Sequence, residues 1–295
     1  MRLDIDGRNC ELESGRSILD AVKKEGLDSI MLSDRPLAAQ IGGEVFNLRF
    51  TPKKDTQIHL LRYGEDMGRR VYERTLQFLF ILAMRKEFPR ARVCVRYSLG
   101  PGLFITVDGM EEPFNEEAAL KVETEMRRLV RLKLPLERRR ISIKEALSFY
   151  EQDGQADKAK LLKWRRFSYF DVYQIDGYMD YFYGEMAPDT SYADVFRVKY
   201  VHDGAVVLLM PRSDAPDVPS DYVDLPKLHA VFHQSDEWGK LMECATVNDL
   251  NTHIQNGTIR ELVRINEALH DRGYADIADK IVQKGAKAVL VAGPS

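Results

Sequence analysis

The chain has 295 residues and is 44% hydrophobic, enough to build two domains or one large one. Its 43 basic and 46 acidic residues give a net charge of -3, so no overall field attracts nucleic acid, and any polyanion site has to be local. Three widely spaced cysteines predict reduced thiols in a cytoplasmic protein. The longest apolar run, residues 76–84, is too short to span a bilayer, and the charged N-terminus is unlike a signal peptide, so we expect no membrane partner.

Residues 1–62 predict a small β-grasp-like domain. A strand, RLDI, is followed by a helix that Ser17 can cap and that ends near Gly26. Gly42 and Gly43 separate two apolar runs, which is typical of a hairpin because paired glycines tolerate the positive φ angles of a two-residue turn. The segment IHLLRY supplies the closing strand.

Residues 63–210 predict a second domain, of α+β type and with longer elements. A strongly apolar helix precedes the strand pair RVCVRYSLG and GLFITVDG, and an amphipathic helix begins near Asn115. A capping-box spacing opens another helix at Ser142, and residues 156–166 also predict a helix. Aromatic-rich strands over 168–206 complete the predicted domain.

Residues 211–226 are rich in Pro, Asp and Ser, which is typical of a linker. Helices follow, with caps at Thr246 and Thr258 and a separate last helix over 274–284. We therefore expect a linker and helical connector over 211–286. The connector leads into an apolar strand that opens a final segment, residues 287–295.

The last residues, KAVLVAGPS, have two interpretations. An apolar strand that enters a Gly-containing turn is how a phosphate-binding loop begins, so Gly293, Pro294 and Ser295 can be the incomplete start of such a loop. An ordinary terminal strand with a polar tail is the alternative. Taken alone, these residues favour the alternative, because a partial motif has little specificity.

The segment IGGEVFNLRF, with its closing strand, makes residues 1–62 resemble the TGS domain of threonyl-tRNA synthetases. AMRKEFPRARVCVRYSLGPGLFITVDG and DYFYGEMAP resemble parts of the second additional domain of the same enzymes. That resemblance implies a domain that hydrolyses mischarged tRNA at a zinc site built from HxxxH and CxxxH motifs. Here the four ligand positions fall on Arg74, Phe78, Phe182 and Met186, none of which is a usual zinc ligand. The sequence therefore argues against a bound metal and against a metal-dependent aminoacyl-tRNA deacylase.

The same domain order, continued by FHQSDEWGKLMECATVNDLNTHI, EALHDRGYADIADKI and VLVAGPS, resembles bacterial uridine kinase-like proteins. In those proteins a synthetase-like region precedes a P-loop kinase domain of the phosphoribulokinase/uridine kinase type. The resemblance implies that the chain stops at the start of this loop and that the kinase domain, with its ATP and Mg²⁺, is an absent partner. The chain would then hold no cofactor and be inactive alone, because the Lys and Ser/Thr that hold triphosphate and Mg²⁺ are missing.

The degenerate metal positions define a candidate cleft. Our hypothesis is that the cleft is filled or repurposed, with Arg74 in place of the cation and Phe78, Phe182 and Met186 closing it. Arg74 can then bind a carboxylate or phosphate of a nucleotide or amino-acid ligand, or pair with a protein carboxylate such as Asp180. The neighbouring aromatic side chains can line the cleft or pack in a core, which is the commoner role of aromatics in strands.

Two basic stretches are candidates for contact with RNA, the denser over residues 127–140 and the other over 160–166. The second additional domain handles tRNA in the synthetases, so the resemblance implies an RNA-facing surface. A solvated helix face is the alternative, because neighbouring glutamates neutralise part of the charge. The candidate residues are Arg127, Arg128, Arg131, Arg138, Arg139 and Arg140.

His229 and His233 are four residues apart, which places both imidazoles on one helix face and can hold a metal. No Glu follows the first His and no third ligand is evident, so a structural role is the favoured alternative.

We interpret the chain as the non-catalytic binding or regulatory region of a uridine kinase-like phosphotransferase. The alternative is a tRNA- or RNA-binding module related to threonyl-tRNA synthetase. A metal-dependent deacylase is a third hypothesis, against which the four ligand positions argue.

Overall fold

A computed structural model describes residues 1–202 and 204–291 of the chain. The fold is α+β, as predicted, with several sheets and eight helices over these residues. It divides into two compact units. The first unit comprises Met1–Ile141 and Phe170–Leu225, and the second comprises Ser142–Tyr169 and Pro226–Ser295. The boundaries expected from sequence near residues 62, 210 and 286 stay predictions.

The first unit begins with a five-stranded sheet and one helix. In the sheet the strand order is β2-β1-β5-β3-β4, with β1 and β5 parallel. Ser17 and Asp20 form a capping box at the start of the helix, which buries Ile18 and Val22 against the sheet. These elements are β1 (Arg2–Ile5), β2 (Arg8–Glu11), α1 (Ile18–Lys24), β3 (Ala38–Ile41), β4 (Glu44–Phe46) and β5 (Thr56–Leu61). This is the β-grasp arrangement that the sequence predicts, with β2 as an additional strand.

The remainder of the first unit contains two long helices and three further sheets. A four-stranded antiparallel sheet has the order β11-β12-β7-β6, a smaller sheet has the order β10-β9-β8, and β13 pairs with β14. The elements are α2 (Asp66–Glu87), β6 (Arg92–Leu99), β7 (Gly102–Asp108), α3 (Glu116–Leu132), β8 (Glu137–Ser142), β9 (Tyr169–Ile175), β10 (Tyr178–Asp180), β11 (Arg197–His202), β12 (Ala205–Leu209), β13 (Pro211–Arg212) and β14 (Ala215–Pro219).

Helix α2 is the buried centre of this part of the unit. Its apolar residues surround the helix, so that Leu76, Phe78 and Phe80 are all fully buried. Gly68 lies near its start, where an added Cβ would be 2.0 Å from the carbonyl oxygen of Arg62, so the chain can enter the helix only with glycine there. None of the helices over the described residues is long and apolar enough to cross a membrane.

The segment predicted as a linker instead contains the hairpin of β13 and β14. It is joined to distant parts of the first unit, because the backbone N–H of Ser33 donates to Asp217 Oδ1 at 3.0 Å and the hydroxyl of Tyr63 donates to the carbonyl oxygen of Pro211 at 2.7 Å. Pro is tolerated in edge strands, so a Pro-rich composition does not exclude a short hairpin.

The second unit is helical: α4 (Ile143–Gln152), α5 (Ala156–Leu162), α6 (Pro226–Leu241), α7 (Val247–Asn256) and α8 (Ile259–Gln283). The indole N–H of Trp164 donates to Asn248 Oδ1 at 3.0 Å, which links the region after α5 to α7. The two helices predicted around residues 258–284 form one continuous helix, since Gly273 lowers helix stability by only about 1 kcal/mol.

The strand predicted from residue 287 is not formed over residues 287–291. Leu290 and Val291 are more than nine-tenths exposed, and a strand requires backbone hydrogen bonds from a neighbour. The phosphate-loop residues Gly293, Pro294 and Ser295 lie outside the described residues.

Four polar side chains join the β-grasp sheet to the start of α2: Asp6, His59, Arg62 and Glu65, the His59 cluster. The ring of His59 lies 2.9 Å from Asp6 Oδ1 through Nδ1 and 2.7 Å from Glu65 Oε2 through Nε2. Arg62 donates to Asp6 Oδ2 at 3.1 Å. The hydrogen bonds to Glu65 and then to Asp6 raise the pKa of His59, because they favour the protonated ring.

A nearly buried arginine holds the loop between α1 and β3 against the segment before β11. Arg35 is 7% exposed and forms a two-bonded pair with Asp194 at 2.8 and 3.0 Å. The same guanidinium donates to the carbonyl oxygens of Ser29 at 3.1 Å and Tyr192 at 3.3 Å. These bonds hold the β-grasp domain against the segment that precedes β11.

Candidate functional site

The four positions of the degenerate metal site come together between α2 and the loop after β10. The rings of Phe78 and Phe182 are 5.4 Å apart, and Phe78 and Met186 are fully buried. The backbone N–H of Ala187 donates to Thr75 Oγ1 at 2.9 Å, which ties this loop to the helix. Over residues 1–202 and 204–291, no three His, Cys, Asp or Glu side chains are grouped as a metal site would require.

Arg74 lies at the edge of this apolar cluster and is half-buried. Its Nε donates to the carbonyl oxygen of Glu185 at 2.9 Å, and burial lowers the pKa of its guanidinium. A Cβ at Gly184 would be 2.9 Å from Arg74 Cζ, so the guanidinium lies directly against the glycine backbone. Its two terminal nitrogens make no hydrogen bond to the described residues. They are therefore available to an anion.

Asp180 was one example of a protein carboxylate that could pair with Arg74, and the structure does not pair the two residues. Asp180 is 3% exposed and accepts from the hydroxyl of Tyr178 at 3.1 Å and from the backbone N–H of Tyr181 at 2.8 Å. These bonds engage the Asp180 carboxylate locally, and Arg74 donates to a backbone carbonyl instead.

Arg74 opens onto a cleft of about 1000 Å³ within the first unit, which we call the arginine cleft. The β-grasp domain contributes β4 and the residues after it, and the rest of the unit contributes the start of α2, the start of β8 and the loop at 184–185. The lining residues are Glu44, Val45, Phe46, Asn47, Arg49, Phe50, Met67, Arg70, Arg74, Leu136, Glu137, Arg138, Arg139, Gly184 and Glu185.

The cleft carries an excess of positive charge. Five of its lining residues are arginines and three are glutamates. Arg70 is exposed and forms no hydrogen bond or salt bridge with the described residues, and it is one helical turn from Arg74 on the same face of α2. Two guanidinium groups with free donors on one wall suit an anionic ligand, above all a phosphate.

The opposite wall is aromatic. Phe46 and Phe50 have ring centroids 4.5 Å apart with planes inclined by 35°, and Phe50 is 37% exposed. Arg49 lies between them in sequence and donates to the carbonyl oxygen of Pro188 at 2.9 Å, which ties this wall to the loop after β10. Aromatic faces beside cationic groups are the surfaces on which nucleic-acid bases stack.

Arg138 and Arg139 lie at the mouth of the cleft and belong to β8. Arg138 pairs with Glu185 and with Asp171, the second through a bond of 3.0 Å, and Arg140 donates to Asp171 at 2.8 Å. The hydrogen bond from Arg140, with that from Arg138, holds the pKa of Asp171 below its ordinary value. Arg139 donates to the amide oxygen of Gln174 at 2.6 Å. Carboxylates therefore neutralise much of the predicted basic stretch.

The arginines of α3 lie apart from the cleft lining. Arg127 donates to Glu123 and its guanidinium stacks over the ring of Phe196 at 4.3 Å, while Arg128 pairs with Glu125. Arg131 is exposed. The structure thus divides the six candidate RNA-facing residues, since only Arg138 and Arg139 line the cleft.

Four residues of the cleft were not predicted from the sequence: Phe46, Arg49, Phe50 and Arg70. The spacing of Arg70 and Arg74 was a usable signal, because residues four apart lie on one helix face. The phenylalanines gave none, since an aromatic in or beside a strand usually packs in a core.

His229 and His233 lie on α6 with ring centroids 6.4 Å apart. This spacing is that of neighbours on one helix face, and no group of metal-ligating side chains forms around them among the described residues.

The chain is similar to bacterial threonine–tRNA ligases. It is 25% identical to that of Clostridium kluyveri over 194 residues, which are 65% of this chain and 30% of the relative. The enzymes of Carboxydothermus hydrogenoformans and Acetivibrio thermocellus are 27% identical over 175 residues and 28% identical over 160 residues. These matches cover 57% and 54% of this chain, and 26% and 24% of the respective relatives.

The chain spans less than a third of the length of these relatives. No protein-family model matches it. These relatives support the predicted synthetase resemblance and do not support the kinase resemblance. The chain contains a threonyl-tRNA synthetase-like region.

Proposed function

We propose that the chain is an RNA-binding module and that the arginine cleft receives the sugar–phosphate backbone of a tRNA-like RNA. The observation that carries the proposal is the pairing of two arginines that have free donors with an aromatic wall in one cleft of about 1000 Å³. The similarity to threonine–tRNA ligases supports tRNA as the class of RNA.

The chemistry of the cleft fits such a ligand. Arg70 and Arg74 offer forked donors to phosphate oxygens, and the half-buried position of Arg74 strengthens an ionic hydrogen bond because the local dielectric is low. Phe46 and Phe50 offer apolar faces to a base. Because the whole chain has a net charge of -3, the attraction of RNA has to come from this local group of arginines.

The test is fluorescence anisotropy with a labelled tRNA transcript at several salt concentrations. We expect Arg70→Gln and Arg74→Gln each to weaken binding about tenfold, as loss of a charged hydrogen bond does, and to reduce the salt slope by about one. Arg16→Gln is the matched control, because Arg16 is equally charged, is 61% exposed and does not line the cleft. Binding that is absent, insensitive to salt or equal in all three variants contradicts the proposal.

The role as a non-catalytic regulatory region of a uridine kinase-like phosphotransferase stays a prediction. It depends on the segment after residue 291 and on a kinase domain, and the relatives do not support it. The codons that follow Ser295 in the source gene test this prediction, because it requires them to encode the Lys and Ser/Thr of a P-loop. We do not propose metal-dependent deacylation, because Arg74, Phe78, Phe182 and Met186 occupy the ligand positions.

A further inference from the structure

The arginine cleft already contains an anion that belongs to the protein. The side chain of Glu185 is 12% exposed, and its two carboxylate oxygens have different partners. Oε1 accepts from Arg138 Nη1, and Oε2 accepts from the hydroxyl of Tyr173 at 3.0 Å. Arg138 lines the same cleft and is 45% exposed. The Glu185 carboxylate thus occupies donors that a ligand phosphate would otherwise use.

We propose that Glu185 is an internal substitute for a ligand phosphate group, which displaces it from Arg138 on binding. The proposal rests on the proposed function of the cleft. A phosphate oxygen accepts from a guanidinium N–H as the carboxylate oxygen Oε1 does, so one anion can replace the other at Arg138. The ligand class is a phosphate ester or polyphosphate.

The backbone around Glu185 allows its side chain to move while the cleft keeps its shape. The carbonyl oxygen of Glu185 is held by Arg74 Nε at 2.9 Å, and the next residue, Met186, donates its N–H to the hydroxyl of Tyr173 at 3.2 Å. The single hydroxyl proton of Tyr173 is shared between Glu185 Oε2 and the carbonyl oxygen of Gly184, 3.1 Å away, and it stays with the carbonyl when the carboxylate leaves. Rotation of the carboxylate therefore leaves these backbone bonds intact.

Arg138 also remains in place when Glu185 leaves. Its Nη2 donates to Asp171 Oδ2 at 3.0 Å, and Arg140 holds the other oxygen of Asp171 at 2.8 Å. Nη1 then loses its partner and can donate to the ligand. A phosphodiester carries the same single negative charge as the Glu185 carboxylate, and a pyrophosphate carries more, so the exchange keeps Arg138 paired with an anion.

The first test is Glu185→Gln, with Glu44→Gln as a matched control. Both residues line the cleft and both substitutions remove one negative charge, but Glu44 does not pair with Arg138. We expect Glu185→Gln to bind tRNA about tenfold more tightly with a salt slope steeper by about one, because Arg138 gains a phosphate contact. Glu44→Gln is expected to raise affinity by no more than about twofold, the general effect of removing a nearby negative charge, because it frees no arginine donor. The double variant Glu185→Gln/Arg138→Gln is expected to lose the gain.

A second measurement does not depend on RNA. The Nε–H signal of Arg138 in nitrogen-15 NMR of the full chain is followed while inorganic pyrophosphate is added, and we expect a saturable shift. If the signal moves but tRNA does not bind, the proposed function fails and this inference stands. The opposite result is that tRNA binds through Arg70 and Arg74, the Arg138 signal does not move, and Glu185→Gln and Glu44→Gln bind tRNA with equal affinity. In that case this inference is overturned and the proposed function stands. Urea unfolding of each variant confirms that the fold is intact.

Discussion

The pair formed by Arg35 and Asp194 predicts a large loss of stability when it is broken. The Arg35→Ala substitution removes a side chain that is 8% exposed and leaves the Asp194 carboxylate, which is 33% exposed, without its two hydrogen bonds. It also leaves the carbonyl oxygens of Ser29 and Tyr192 without their donor. Breaking a buried pair from one side costs about 3–5 kcal/mol of unfolding free energy. Because solvent reaches Asp194, we expect a loss near the lower end, about 3 kcal/mol.

The assay is urea unfolding followed by far-ultraviolet circular dichroism. Tryptophan fluorescence is unsuitable for the first unit, because Trp164 and Trp238 both lie in the second unit. Arg16→Ala is the control, since its pair with Glu13 is exposed and is expected to contribute less than about 1 kcal/mol. A loss below about 1 kcal/mol for Arg35→Ala would refute the argument that this arginine fixes the β-grasp domain in place.

Three further predictions follow from single contacts. The pKa of His59 in the folded protein is raised above its ordinary value of 6.5. The protonated ring therefore stabilises the fold below pH 6.5, and this stabilisation is lost as the pH rises through the folded pKa. Urea unfolding from pH 5 to pH 9 is expected to show the decline, and the His59→Gln variant is expected not to show it. Gly184→Ala is expected to lower the free energy of unfolding by about 1–2 kcal/mol and to weaken tRNA binding, because φ there is +102° and the new Cβ meets the guanidinium of Arg74. An unchanged tRNA affinity and melting temperature would contradict this prediction. Trp164→Phe is expected to lower the free energy of unfolding by about 1 kcal/mol, because the hydrogen bond to Asn248 is lost. The fluorescence of Trp238 is expected to show unfolding at a lower urea concentration, and an unchanged urea midpoint would count against this prediction.

Much of the fold could be predicted because local signals and tertiary packing agree. The cap at Ser17 and the apolar pattern of α2 each require only nearby residues, and each appears in the structure. The hairpin in residues 211–219 could not be predicted, because long-range bonds such as that from Ser33 to Asp217 stabilise it. The predicted strand over 287–291 pairs with no strand in the part of the chain that the structure describes, and a strand requires hydrogen bonds from a neighbour.

The candidate site could be predicted only in part, for a similar reason. The apolar replacement of the metal positions was visible in sequence, and the structure brings Phe78 and Phe182 into contact. The cleft beside them was not visible, because its aromatic wall comes from residues 46–50 and its basic walls from α2 and β8. The pairing of Arg138 with Glu185 was equally hidden, since a charge run in sequence does not show which members carboxylates neutralise.

The most direct test of the arginine cleft is amide hydrogen exchange of the full chain with and without a tRNA transcript. We predict slower exchange in the segments that line the cleft, residues 44–50, 67–74, 136–139 and 184–185, and unchanged exchange in α7 and α8. Protection confined to α7 and α8, or the same exchange with and without tRNA at a concentration that saturates binding, would contradict the account.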